Sequence, residues 1–230
     1  MIVPPRALVL AVHGTLSEAG QAISAHLRHD VARRLPEVQV VLGWADVLQP
    51  PLVETLAAVG DCVLVPVFLT TGYHVSHDLP DAVRDSGGRA VITAHIGDSI
   101  LAAVAERLVD VDPEPDAVVL AAAGSRYPGS LAEVRSAARQ LAQLLARPVS
   151  AAFVSGAEPT VADAVAAARA RGAVRVSVAS YFLTPGMLTA RLTGAGADVV
   201  ASPVGSHPVL VAAVVERYLD ATGADRSAQR

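Results

Sequence analysis

The sequence predicts an α/β protein made of two duplicated lobes, each with a four-strand, mostly parallel sheet flanked by helices. Three observations carry that expectation. Short β-branched runs alternate with alanine-rich segments of helical length, the pattern of βαβ units. The apolar runs are those of strands covered by helices on both faces. The stretch VLAVHGTLSE, residues 9–18, returns as VLAAAGSRYP, residues 119–128, so the pattern is stated twice.

Taken in order, the first half opens with an apolar run at 7–12 that enters a glycine turn, followed by an alanine-rich helix near 19–34. Strands near 38–43, 62–68 and 90–93 alternate with helices near 51–59, 79–84 and 99–109. Asp78 and Pro80 mark the start of the helix near 79, which leaves His74 in a loop just before it. The second half repeats the series, with strands near 117–122, 149–154, 174–181 and 198–201 and helices near 131–146, 160–171, 186–192 and 208–222. DPEPD, residues 112–116, has the proline and acid content of a linker. The expected division is therefore 1–112, 113–224 and a small, polar tail at 225–230.

The halves align residue by residue. PVFLTTGYHVSHDL answers SYFLTPGMLTARLT, GWADVLQPPLVETL answers AFVSGAEPTVADAV, and ILAAVAERL answers LVAAVVERY. The alignment exposes an asymmetry: His13 faces Ala123, Asp46 faces Ser155 and His74 faces Leu188. Glycines and core residues persist while three groups able to bind a metal or move a proton vanish together. One working site and one degenerate copy is the simplest account.

Composition excludes several classes. A chain of 230 residues, 52% hydrophobic, is long enough for a packed core. Its net charge is −4 and its 18 basic residues, all arginine, are scattered, so no nucleic-acid partner is expected. The opening apolar run is too short to span a bilayer, is interrupted by Pro4 and Pro5 and lacks a basic leader, which points to a cytoplasmic protein without a membrane partner. The lone Cys62 lies in the apolar run CVLVPVFL and reads as a core thiol in a reducing compartment. AAGSRYPGS lacks the lysine of a P-loop and the spacing of a dinucleotide fingerprint, so no nucleotide cofactor is expected.

Ligands of open parallel sheets bind beyond the carboxyl ends of the strands. His13 ends the first expected strand, Asp46 follows the second and His74 the third, so all three belong to one rim. Two imidazoles suit Fe²⁺, Co²⁺, Ni²⁺ or Zn²⁺, and a nearby carboxylate completes the shell or accepts protons. So few protein ligands leave positions open, as an exchanging metal requires. His77 reads as a solvated neighbour of His74, His26 and His29 as a solvated helix face, and His95 and His207 as structural.

HGT at 13–15, WAD leading to PPLVETL, and VPVFLTTGYHVSHDLP resemble the sirohydrochlorin chelatase family, the class II chelatases that insert Fe²⁺ or Co²⁺ into sirohydrochlorin. The resemblance covers nearly the whole chain and matches the long two-domain bacterial form. It implies two flavodoxin-like, chelatase-like lobes with the tetrapyrrole in a cleft between them. It also implies a monomer acting as an internal pseudo-dimer. The family's metal-binding histidines fall on His13 and His74, and its acidic position falls on Asp46, where glutamate is more usual. The anionic macrocycle implies cationic contacts, for which Arg126 and Arg191 are the candidates by position. Siroheme and cobalamin routes stay open, as do a nickel chelatase of a related cofactor route, a non-catalytic metal or tetrapyrrole carrier, and an unrelated small-molecule function of the same fold.

Overall fold

A computed structural model of the protein describes residues 6–223; the expected polar tail at 225–230 and the residues that open the chain lie outside the described residues. The described chain falls into two compact units, one formed by residues up to Gly97 with those from Ser206 onward, the other by Asp98–Gly205.

In the first unit, β1 (Ala7–Val12), β2 (Val40–Trp44), β3 (Cys62–Pro66) and β4 (Ala90–Ile92) form a sheet in the order β2-β1-β3-β4. Every pairing is parallel, with Val9 opposite both Val41 and Leu64. Helices α2 (Leu52–Val59) and α3 (Leu79–Asp85) cover one face around Val9, Ala11, Leu52, Leu56, Cys62, Leu64 and Leu79. The Cys62 thiol is fully buried there, and burial, reinforced by the Asp61 charge, pushes its pKa up, as befits a core thiol. Helices α1 (Glu18–Arg34) and α8 (Pro208–Thr222) pack against each other, α1 also on β2 and α8 on β3. His207 has the structural role expected of it, its Nδ1 accepting from the Val209 N–H at the start of α8.

In the second unit, β5 (Ala117–Ala122), β6 (Val149–Phe153), β7 (Val176–Ser180) and β8 (Val199–Val200) repeat the order as β6-β5-β7-β8, again all parallel. Helix α6 (Val161–Ala170) covers the core of Val119, Ala121, Val165, Val176 and Val178, while the short α7 (Met187–Ala190) runs into a 3₁₀ turn whose Leu192 joins that core. α5 (Pro128–Leu145) packs on β6, and α4 (Leu101–Val109) packs on α5 and β7. α5 starts earlier than the sequence suggested because Pro128 occupies its first turn, where a missing N–H costs nothing.

The compact units do not follow the expected division at 112, which separates the two sequence repeats. Each repeat ends in a helix of nearly the same sequence, and the two have exchanged places. α4, from the first repeat, fills in the second unit the position that α8, from the second repeat, fills in the first. The two helices present equivalent apolar faces to equivalent sheets, so packing alone tolerates either arrangement.

DPEPD is not a solvated linker either. Asp112 is buried, its carboxylate accepting from Arg175 Nε at 2.8 Å and from the Ser177 hydroxyl, and Asp116 accepts from the Val174 and Arg175 N–H groups at 2.9 and 2.7 Å. Burial pulls the Asp112 pKa upward, but the hydrogen bonds from Arg175 and Ser177 and the guanidinium charge outweigh it, so the carboxyl lies below its ordinary value. A carboxyl held low contributes stability that is present above the unfolded value, about 3.9, and is lost as the pH falls through the folded one. Asp112→Ala, which leaves the buried Ser177 hydroxyl unpaired, is expected to cost about 1–3 kcal/mol at neutral pH. In thermal melts the difference from wild type should shrink at acid pH; a constant difference would remove the ionic explanation.

Candidate metal centre

The chain reverses its direction of sheet growth between β1 and β3, and the crevice created at such a switch point opens at the strand carboxyl ends. His13 follows β1 directly, and the His74 segment follows β3. The β1–β2 ladder continues past the strands: Ala45 N–H donates to Val12 O at 2.9 Å and Asp46 N–H to His13 O at 3.0 Å. That extension lays the Asp46 backbone beside His13. Gly14 makes the approach possible, because at φ +93° a Cβ there would sit 2.4 Å from Asp46 O. The second unit keeps the frame, with Ser155 N–H on Ala123 O at 3.0 Å and a Cβ on Gly124 set to strike Ser155 O. Only the side chains have changed.

His13, Asp46 and His74 converge: one potential ligand atom of each lies within 4.8 Å of the others, with His13 and Asp46 exposed and His74 half-buried. The rings of His13 and His74 meet edge to face with centroids 4.7 Å apart, and Phe68 backs His74 at 6.0 Å. Two donors on one ion at about 2.1 Å each stand no more than about 4.2 Å apart, so small side-chain rotations suffice for shared coordination. Such a site would hold an ion without enclosing it. His13 Nδ1 sits 3.1 Å from Gly14 O and His74 Nδ1 2.6 Å from Asp78 Oδ2. A carbonyl and a carboxylate only accept, so both contacts fit the tautomer with the proton on Nδ1, which leaves Nε2 as the donor atom for an ion.

Two local conformations were not foreseen. His74 is not in a loop: His74–Asp78 is a single π-helical turn closed by the Leu79 N–H on His74 O and continuous with α3. Tyr73 and His77 stack across this turn at 4.8 Å. Beside the site, Val47 adopts φ +66°, with the Leu48 N–H on Asp46 O at 2.7 Å and its own N–H on Asp46 Oδ1 at 2.7 Å. A β-branched residue is strained in this γ-type turn, and the corresponding residue of the second unit is Gly156, at φ +67°. Val47→Gly is accordingly expected to keep or raise the melting temperature, by about 2–4 °C for each kcal/mol of strain released beyond the entropic cost of glycine. A marked fall in a thermal scan would show that the turn is unstrained.

The remaining candidates are placed without joining this cluster. Arg126 is exposed in the loop after β5 and Arg191 in the turn after α7, both at the carboxyl-end loops of the second unit. His26 and His29 are exposed on α1, and His95 is half-buried after β4. Among the described residues, no helix is long and apolar enough to cross a membrane.

Comparison with known proteins agrees with this architecture. The family model described as CbiX matches residues 7–111 and again 117–221. Among solved structures, SirB from Bacillus subtilis with Fe3+ aligns at 21% identity with a TM-score of 0.80, covering 95% of this chain and 96% of that one. A second is the sirohydrochlorin chelatase SirB from Bacillus subtilis subspecies spizizenii in complex with cobalt, at 21% identity, TM-score 0.77 and the same coverages. A third, CbiX, described as the terminal enzyme for biosynthesis of siroheme in denitrifying bacteria, aligns at 23% identity and TM-score 0.69 over 94% of this chain and 99% of that one. A search of curated proteins returned no match. Two matches of one family model, one on each repeat and together spanning most of the chain, make the chain a member of the CbiX family.

Proposed function

We propose that the protein is a sirohydrochlorin chelatase that inserts Fe²⁺ or Co²⁺ into the macrocycle. The observation that carries this reading is the convergence of His13, Asp46 and His74 in one unit, against Ala123, Ser155 and Leu188 at the aligned positions of the other. One metal enters one ring, so one ligand set is enough. The metal is substrate here: it must be held while the ring approaches and then released. Two imidazoles and one carboxylate, all reachable from solvent, suit a borderline divalent ion and leave coordination positions for pyrrole nitrogens.

Insertion exchanges one M²⁺ for the two inner N–H protons of the ring. As each nitrogen replaces a protein ligand on the metal, the freed group becomes a base beside the departing proton. The Asp46 carboxylate and the Nε2 of a released histidine can take one each, which balances the charge. The carboxylates of the substrate are proposed to pair with guanidinium groups, Arg126 and Arg191 being the candidates.

The test is an anaerobic absorbance assay of sirohydrochlorin with Fe²⁺ and, separately, Co²⁺. Turnover well above the non-enzymatic rate is expected with at least one of them. Stoichiometric uptake of metal or ring without turnover would overturn the proposal in favour of a carrier.

A further inference from the structure

Asp78 lies outside the three-residue cluster, yet its carboxylate meets Nδ1 of the His74 ring. Oδ2 stands 2.6 Å from His74 Nδ1, with the two side chains 34% and 28% exposed. Asp78 sits at the start of α3 but makes no side-chain capping bond there, so helix capping does not account for its carboxylate. The π-helical turn spans these two residues, from His74 to Asp78. In the second repeat, His74 is replaced by Leu188 and Asp78 by Leu192, the latter buried in the core, and no π-helical turn forms. Histidine, aspartate and turn are present together or absent together.

We infer that Asp78 is a positioning residue for metal handling: it holds His74 with Nδ1 protonated and the Nε2 lone pair directed to the ion. The inference rests on the proposed metal chemistry of the site and deepens it. A half-exposed imidazole is otherwise free to rotate about χ2 and to exchange tautomers, and in half of those states Nε2 carries a proton and cannot ligate. A carboxylate on the other nitrogen removes that choice and strengthens Nε2 as a donor. Partners of this kind typically contribute 10–100-fold in metal affinity. Asn at 78 can present either its oxygen or its amide, so it relaxes the constraint without removing a side chain of that size.

Two readouts test this on the full chain. Two-bond ¹H–¹⁵N correlation of the histidine rings at about pH 8.5, with His74 assigned by its loss in His74→Ala, should show wild-type His74 as the Nδ1–H tautomer. Asp78→Ala and Asp78→Asn should shift it toward the Nε2–H form. Co²⁺ titration followed by d–d absorbance should show affinity about 10–100-fold weaker in both variants and largely recovered in Asp78→Glu, with unchanged thermal melts. The inference is overturned if wild-type His74 carries its proton on Nε2, or if both variants bind Co²⁺ within twofold of wild type. Outcomes for the chelatase reading separate cleanly. A wild type showing both Asp78 effects but no insertion of either metal would sink that reading alone. Normal insertion by Asp78→Ala would sink the positioning role alone.

Discussion

His13→Ala and His74→Ala are each expected to lower catalysed metal insertion by at least about 10²-fold, toward the non-enzymatic rate, and the double variant to be little worse than either single one. Positioned proton transfer alone contributes about 10²–10⁴-fold in enzymes generally, and on the proposed reading the same rings would also hold the ion. Residues that act as a unit show this non-additivity, because once one ligand is gone the other has little left to position. Melting temperatures should stay near wild type, since His13 is exposed and His74 half-buried. Asp46→Asn separates the two roles assigned to the site: it keeps an oxygen donor for the metal but accepts no proton. A loss of turnover with metal binding retained would place Asp46 in proton removal. Full activity in the double histidine variant would dismiss the cluster as the site.

Ending the chain at Gly205 is expected to have the largest effect on stability. The deletion removes α8 and with it the buried Leu210, Val211, Val214, Val215 and Leu219, and also Tyr218, whose hydroxyl donates to Arg6 O at 2.6 Å. Burying such aliphatic side chains contributes about 1.5–3 kcal/mol each, together about 8–15 kcal/mol, which is as large as the whole stability of an ordinary domain. α4 cannot rescue the loss. It resembles α8 closely enough to serve either sheet, but a chain with one such helix and two sheets leaves one face bare wherever it goes. Dye binding to exposed apolar surface should therefore rise sharply, and hydrogen exchange should show one sheet unprotected. A truncated chain that melts cooperatively near the wild-type temperature would disprove that α8 is needed to cover a sheet.

Much of this was readable beforehand. Parallel strands sandwiched between helices announce themselves as apolar runs, and all eight expected strands lie within a few residues of those observed. The gathering of His13, Asp46 and His74 was legible because a parallel sheet delivers every strand's carboxyl end to one rim, and because the second repeat showed what the frame looks like without them. The helix exchange was hidden for a physical reason: ILAAVAERL and LVAAVVERY offer the same apolar stripe, so nothing local says which sheet each one covers. DPEPD misled because acids and prolines suggest solvent, whereas Asp112 and Asp116 spend their oxygens on residues 174–177, sixty positions away in sequence and adjacent in space. The π-helical turn adds one residue to a helical circuit without altering hydrophobic periodicity, so Asp78 read as the opening of α3 and its bond to His74 went unseen.

Val47 has a consequence for how such a protein would change over generations. Its strained turn lies next to Asp46 in the repeat that carries the histidines, while the other repeat has relaxed the same backbone angle with Gly156. A laboratory population selected only for heat resistance should therefore drift toward glycine at 47, making the first repeat resemble the second. Selection on metal insertion as well should oppose that drift if the strained turn helps aim the carboxylate. On the proposed reading, the repeat without the metal-binding set shows the sequence toward which the first would drift if metal insertion were no longer selected.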